Sequence, residues 1–470
     1  MPGVRNSKTN LSPWLHQLKR TRQVAKISGD VKTDVIIIGG GIAGVVTAYY
    51  TLKLTDKRVV LLEANKVAHG ATGHNAGQLA SYFERPFSDI VREFGEKMAA
   101  DGQQAVDSAW ILLEEIFEDA KLQTPFWQFT GYAGCSTVSD VVTHLRDIFY
   151  QRRSGIAKES LLIAEEHVKE CHIPKELKDS YTTLPQKDIL ALLETKNKKY
   201  VAALVKRKGC MNSALFTEEL VAYLLRVYTK RFTLIEHAPV RRIALHKDEA
   251  VMEVDTKTRR THTVTGKRVI LCTNGFEKIM IADIAGGTDI DGSFHHLVQG
   301  SVGCMAGYLE EHDASPVAIS YLPENAGAGN GGTQQAEPYF YLTRRPFEKK
   351  GTKDVNLICV GGPEALLDDT NKYSHEHPYP EEAGKMIDKF LKKNYRRAPG
   401  RVKYAFKWHG LMGYTPNGLR CVGFEPRNPV LMYNLGCNGV GILPSIFGGK
   451  RIALLLQGRK LSPSIFDPRT

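Results

Sequence analysis

The 470-residue chain has no C-x-x-C pair and no His/Cys grouping at zinc spacing. Its eight cysteines, Cys135, Cys171, Cys210, Cys272, Cys304, Cys359, Cys421 and Cys437, are scattered. This argues against a bound metal or a disulfide framework and reads most simply as reduced thiols in a cytoplasm. The histidine pair His295–His296 has no companion ligands, so no metal is assigned. An uninterrupted membrane-length apolar run is also lacking. The longest candidate, Asp34 to Leu52, is broken by glycines and reads as strand, turn and helix in a core. The basic N-terminus has no apolar stretch behind it and is read as carrying no secretory signal. There is no internal repeat and no low-complexity tract.

What is present fits a globular enzyme of two domains. Hydrophobic residues make up 42% and charged residues 24%. There are 63 basic and 51 acidic residues, a net charge of +12. The excess is densest in the first 35 residues (Arg5, Lys8, Lys19, Arg20, Arg22, Lys26, Lys32) and in Lys196, Lys198, Lys199, Lys206, Arg207 and Lys208. With no nucleic-acid motif beside it, this charge is expected to be a solvated face, and nucleic acid is not an expected partner.

Residues 1–30 read as a basic N-terminal extension, with order beginning at Asp34. DVIIIG is continuously apolar, as in a strand buried on both faces of a parallel sheet. A helix follows, then the buried strand RVVLLE, completing a βαβ unit. Pro86 to Leu122 shows helical spacing (Ile90, Val91, Phe94, Met98, then Trp110, Leu112, Leu113, Ile116, Phe117) and is expected in the second domain. A helix over Thr217–Tyr228 precedes strands and turns, including RVILC. Loops cluster at Pro323–Gly332, and YFYLTRR and LICVGG read as paired strands.

Gly39-Gly40-Gly41-Ile42-Ala43-Gly44 lies between that first strand and helix, with Glu63 19 residues beyond Gly44. Gly39 permits the tight turn, Gly41 the approach of backbone to a pyrophosphate, and Gly44 close helix–strand packing. The helix start offers N–H groups to phosphates, and Glu63 is placed for ribose hydroxyls. Two further loops separate FAD from a nicotinamide. Gly70, Ala71, Thr72, Gly73, His74, Asn75, Ala76, Gly77 and Gln78 form a small-residue run able to lie against a flat ligand. Gly436-Cys437-Asn438-Gly439-Val440-Gly441 repeats the loop-then-helix design near the other end. A ligand touched by both ends of a long chain is more readily FAD, although the second loop also reads as a simple turn.

Together DVIIIGGGIAG, LLEANKVAHGATGHNAGQL, LCTNGF and WHGLMGYTPNGLRCVG with GCNGVG resemble the D-amino-acid-oxidase-like superfamily of FAD-dependent amine oxidoreductases. The likeness points to its glycine/sarcosine oxidase and gamma-glutamylputrescine oxidase-like branch. It implies an α/β fold: a Rossmann-like FAD-binding domain assembled from discontinuous segments (31–85, 206–290 and 401–470) plus an antiparallel-sheet, α+β substrate domain (86–205 and 291–400). It also implies oxidation of a C–N bond in a small-molecule amine or amino acid, with oxygen or a carrier as electron acceptor. Ala64, Val240 and Asn274 resemble positions along the cofactor. His74 falls where similar dehydrogenases carry a histidine bonded to the flavin, which implies either a covalent tether or a hydrogen-bonding neighbour. One departure is Thr415-Pro416-Asn417-Gly418-Leu419-Arg420, where T-x-D-x-x-P is usual.

Three residues are candidates for catalysis. Tyr341 shares a strand face with Tyr339 and could cover the substrate; Arg344 could fork a substrate carboxylate; His409 lies in the flavin-facing segment and could deprotonate an ammonium. The plain alternatives are aromatic packing, a surface arginine and a structural histidine. Two other functions fit the same residues: oxidation of an aminomethyl group on transfer RNA, motivated by the charge, or a flavoprotein serving mainly to bind a partner.

Overall fold

The apolar run from Val35 forms the buried end of the strand Val31–Ile38. It lies between parallel neighbours, Val59–Leu62 on one side and Thr261–Leu271 on the other, so neither face needs polar residues. In this computed structural model the described residues are 10–156, 160–255, 261–275, 279–294, 298–311, 315–322, 339–350, 353–369 and 372–469. His295–His296, Phe276, Arg5, Lys8 and the Pro323–Gly332 loops lie outside them.

The first sheet runs Met280–Asp283, Val240–Leu245, Ala250–Asp255, Thr261–Leu271, Val31–Ile38, Val59–Leu62, Phe232–Ile235. Thr261–Leu271 is divided: residues 261–266 pair antiparallel with Ala250–Asp255, and 269–271 pair parallel with Leu431–Leu435. That division brings the C-terminal segment into the nucleotide-type sheet. Helix Ile42–Leu54 is buried over nearly its whole length beneath Ile442–Leu456, with Gly449 against the backbone of Val46.

Helix Glu96–Ala120, expected in the second domain, is shared: Trp110 and Phe117 stack on Phe126 of the second sheet, while Trp110, Leu113 and Ile116 share one core with Val45 and Val46 of Ile42–Leu54 and Ile446 of Ile442–Leu456. Periodicity identifies a buried face but not the element that buries it.

The second sheet runs Tyr404–Tyr414, Gln299–Glu311, Lys353–Leu367, Phe340–Lys350, Val317–Tyr321, Phe126–Cys135, Ala202–Met211, Ser160–Ala164, Tyr181–Leu184, with Gln78–Leu79 on Ala202–Met211. YFYLTRR and LICVGG pair antiparallel as expected, Tyr341 opposite Gly361. Ala202–Met211 straddles the boundary drawn at 206 and Tyr404–Tyr414 lies wholly in the 401–470 segment assigned to the FAD-binding domain, yet both belong to this sheet.

Alternation along Phe340–Lys350 turns Arg344 away from Tyr339 and Tyr341. Its guanidinium forks Glu194, both N–O distances 2.7 Å, and also donates to Tyr395 Oη at 3.1 Å and the Ser315 carbonyl at 3.0 Å. Arg344 is 3% exposed, so the expected carboxylate fork is made, but to this protein's own glutamate.

The basic segments are a solvated face in part: Lys19, Lys26, Lys32, Lys196, Lys198 and Arg207 are exposed, while others tie segments together. Within the expected N-terminal extension a short helix, Pro13–His16, carries Trp14 into the core at 0% exposure. Arg20 and Arg22 pair with Glu236 and Glu218. Lys208, 1% exposed, donates to Tyr82 Oη at 3.0 Å, and Arg207 lies 4.5 Å over the Trp110 ring. All eight cysteines are free. Among the described residues no helix is long and apolar enough to cross a membrane.

A Cβ on Gly44 would stand 1.9 Å from the Gly39 carbonyl oxygen. Gly44→Ala is therefore expected to destabilise the protein by about 1–3 kcal/mol or more, read as a lowered Tm; an unchanged melting curve would contradict this packing. Arg344→Ala strands the Glu194 carboxylate and should cost about 3–5 kcal/mol. It should alter KM for acidic and neutral substrates alike, and a selective loss with acidic ones would restore a substrate role.

Candidate active site

A cavity of about 1040 Å³ opens between the two sheets. At one end it is lined by Gly39, Gly41, Ile42 and Ala43, where the first strand turns into its helix. Gly39 adopts φ +107°, and a Cβ there would lie 2.7 Å from the Cys272 carbonyl. The turn is thus pressed between neighbouring backbones, with its first-turn N–H groups directed outward. Thr72 Oγ1 accepts from Ile42 N at 2.9 Å. Glu63 accepts from Gly40 N and Asn65 N, each at 2.7 Å. Burial raises its pKa and these two bonds oppose the rise. Ala64 and Val240 line the same end.

Gly70, Ala71, Thr72, His74, Asn75, Ala76 and Gln78 form the adjoining wall. Trp14 Nε1 at 2.6 Å and Trp408 Nε1 at 3.3 Å both donate to the Asn75 carbonyl. Asn75 Nδ2 donates to Ser213 Oγ at 2.9 Å, and Ser213 Oγ donates to the Thr72 carbonyl at 2.7 Å. Gly77 takes φ +67° with its open side against Trp14, so it shapes the loop without lining the cavity. His74 Nδ1 faces the Gly70 carbonyl at 3.0 Å and its ring stacks on His375 at 4.5 Å. Burial pushes His74 down to about 4, leaving a neutral imidazole at neutral pH.

The C-terminal loop closes a third side through Cys437, Gly439, Val440 and Gly441. Asn274, at φ +69°, accepts from Cys437 N at 2.9 Å and so binds the two distant loops together. Gly436 and Asn438, expected at the cofactor, do not line the cavity. Gly436 faces Thr415, while Asn438 Oδ1 accepts from Thr415 N at 2.8 Å and Asn438 N donates to the Gly413 carbonyl at 2.9 Å. Gly44 is likewise a packing residue. Arg420, the departure noted in the sequence, donates to Asn434 Oδ1 at 2.7 Å and to the Asn434 carbonyl at 2.9 Å. Its charge is spent on the loop, and burial lowers its pKa to about 10.

Tyr339, Tyr341, Gly303, Met305, Met412 and Glu364 roof the opposite end, with Tyr82 and Glu84 at its side. The Tyr341 ring covers Gly361, where a Cβ would lie 2.4 Å from Cζ, and its hydroxyl faces Met305 Sδ at 3.6 Å. Burial holds its pKa well above the ordinary phenol value, so Tyr341 stays protonated. His409 is not in this roof. It is 2% exposed, with Nδ1 against Tyr373 Oη at 3.0 Å and Nε2 against the His377 carbonyl at 3.0 Å. The neighbouring Gly410 takes the cavity side, its open face against the His74 backbone. His409 therefore positions Tyr373 and is out of reach as a base.

Glu84, Glu364, Tyr82 and the Tyr373–His375 pair were not anticipated. Each is an isolated polar residue in a stretch without a motif, and only strand register and loop return bring them together. The glycine cradle, its helix start, Glu63 and two further close-approach loops fit a dinucleotide with a flat ring system reaching the tyrosine roof.

The sequence model of the family described as "FAD dependent oxidoreductase" (DAO) matches residues 34–455. Among curated proteins, a segment of 105 residues is 32% identical to a putative Rieske 2Fe-2S iron-sulfur protein, YhfW, of Bacillus subtilis (strain 168), covering 22% of this chain and 20% of that protein. A segment of 96 residues is 29% identical to gamma-glutamylputrescine oxidoreductase of Escherichia coli (strain K12), covering 20% of each. These matches thus span about a fifth of each relative's length. Among solved structures, glycine oxidase from Geobacillus kaustophilus superposes with a TM-score of 0.63 at 16% identity, over 92% of this chain and 96% of that one. The two-sheet architecture is thus shared, and the family match over nearly the whole chain places this protein in the DAO family of FAD-dependent oxidoreductases.

Proposed function

We propose that this flavoenzyme oxidises the carbon–nitrogen bond of an amine or amino acid to an imine that water hydrolyses. The observation that carries the reading is one cavity running from the glycine cradle to a roof of neutral tyrosines and carboxylates, without a serine or cysteine nucleophile paired to a base among its described lining. FAD, when bound, supplies the acceptor for the hydride leaving the carbon next to nitrogen.

The chain's own part is to position and exclude. Gly39, Gly41 and the first turn of Ile42–Leu54 would hold the pyrophosphate, Glu63 the ribose, and the Gly70–Gln78 and Gly439–Gly441 loops the ring system. Tyr339 and Tyr341, their centroids 5.5 Å apart, form an aromatic cover that excludes water from the reacting carbon. Because Tyr341 stays protonated, it orients the substrate rather than removing a proton.

Anaerobic mixing with alkyl amines, N-methyl amino acids and amino acids should bleach the visible flavin absorbance with at least one of them. Bleaching only by hydroxy acids or polyol phosphates would overturn the reading. His74 is neutral, bonded at Nδ1 and stacked on His375, an arrangement that supports a hydrogen-bonding neighbour rather than a tether. Acid precipitation should therefore leave a colourless pellet under a yellow supernatant, and colour retained in the washed pellet would establish the covalent bond instead.

A further inference from the structure

The roofed end brings two carboxyl side chains, Glu84 and Glu364, to a cavity whose described lining also includes Lys66, Arg241 and Arg420. Glu84 opens onto the cavity and accepts no hydrogen bond from a described residue; its oxygens lie over the C-terminal loop, where a Cβ on Gly439 would meet Oε2 at 2.1 Å. Glu364 enters from the roof and accepts from Ser301 Oγ at 3.1 Å. Of the lining cations, Lys66 and Arg241 adjoin Ala64 and Val240 at the dinucleotide end, and Arg241 pairs with Asp255 at 2.6 Å. Arg344 is turned to the far face of its strand and forks Glu194. Arg420 holds Asn434. Lys206 and Lys208 lie 4.2 and 4.4 Å over the Tyr82 ring and neither lines the cavity.

An α-amino acid carries a carboxylate on its reacting carbon, and at the roofed end that group would meet two acidic side chains, while the lining guanidinium of Arg420 is already bonded to Asn434. A bare ammonium would meet the opposite: charge-assisted acceptors and tyrosine faces. We propose that Glu84 and Glu364 are the receptor for the substrate's ammonium group, and that the substrate is an alkyl amine with no carboxylate on the reacting carbon. This rests on the amine-oxidation reading above.

Glu84 also has the means to prepare the amine. Burial first, then the charge of Glu364, push it up to about 8 against the opposing pull of Lys208 and Lys206. Its ionised form, the minority at neutral pH, competes for an ammonium proton far better than an ordinary glutamate, so this transfer should speed up as the pH rises towards 8. The proton passes from R–CH2–NH3+ to Glu84, giving the neutral amine and a carboxylic acid. The carbon–hydrogen bond then breaks with its electron pair going to FAD, leaving R–CH=NH2+. Water adds to that carbon and ammonium departs, leaving the aldehyde.

Two matched pairs test this on the FAD-loaded enzyme. Pentylamine and norleucine, used as both enantiomers, differ only by the carboxylate; pentylamine should bleach the flavin roughly tenfold faster or more. Faster bleaching by norleucine would overturn the proposal. tert-Butylammonium and pivalate share one shape with opposite charge, and neither has a hydrogen on the central carbon to lose. The cation should bind more tightly, read as a perturbation of the flavin spectrum on titration. Glu84→Gln and Glu364→Gln, checked for flavin content and Tm, should each weaken cation binding by roughly tenfold; unchanged binding in both, or preference for pivalate in the parent, would overturn it. If no amine bleaches the flavin yet the cation preference and its loss are seen, the oxidation reading fails and the receptor stands.

Discussion

The carbonyl of Asn75 is the joint on which the cavity depends. Two indole N–H groups converge on it, from Trp14 near the start of the chain and Trp408 near its end. Trp14 and Trp408 are both fully buried and meet edge to face at 6.4 Å. A buried carbonyl without a donor would carry an appreciable desolvation cost, so each tryptophan is held by its polar tip as well as its packing. The loop so fixed presents Thr72 to the helix start and His74 to the roof strand at Gly410. Asn10 reinforces the joint, donating to the His409 carbonyl at 3.0 Å and accepting its N–H at 2.9 Å.

Charge is divided along the cavity. The dinucleotide end is built from backbone N–H groups and a helix N-terminus, which favour an anion, and Lys66 and Arg241 line the cavity beside Ala64 and Val240. The roofed end is acidic and aromatic. Between them the histidines are neutral: His74 is pushed down to about 4 and His375 to about 3, both chiefly by burial. Imidazoles in that state add contacts and hydrogen bonds to the middle of the site while leaving its field unchanged. Part of the basic N-terminal cluster joins segments through ion pairs, as at Arg22 and Glu236, 2.9 Å apart.

Several readings failed for one shared reason. Glu96–Ala120, Arg344 and His409 lie in segments whose packing partners no local pattern showed, and Trp14 lies in one read as a bare extension. A helix with a wide apolar face can cover either sheet. A histidine beside a conspicuous glycine lies on the opposite strand face from it, and here the glycine has the cavity. Arg344 follows the same rule, since it is an odd number of residues from Tyr341 and faces away.

The local sequence by itself determined the βαβ unit, the glycine turn and the acid at the end of the second strand. Each is set by short-range sterics: a continuous apolar strand, a residue at φ +107° with no room for a side chain, and a helix that must begin beside a carbonyl. It also determined that Tyr339 and Tyr341 share a face, because strand alternation is a backbone property. Only the tertiary structure decided which loops meet and which charges face the cavity. Asn274 reaches Cys437 across 163 residues, and Glu84 meets Glu364 from different parts of the chain. Such pairings depend on sheet order and on which face each element buries, and no local pattern encodes either.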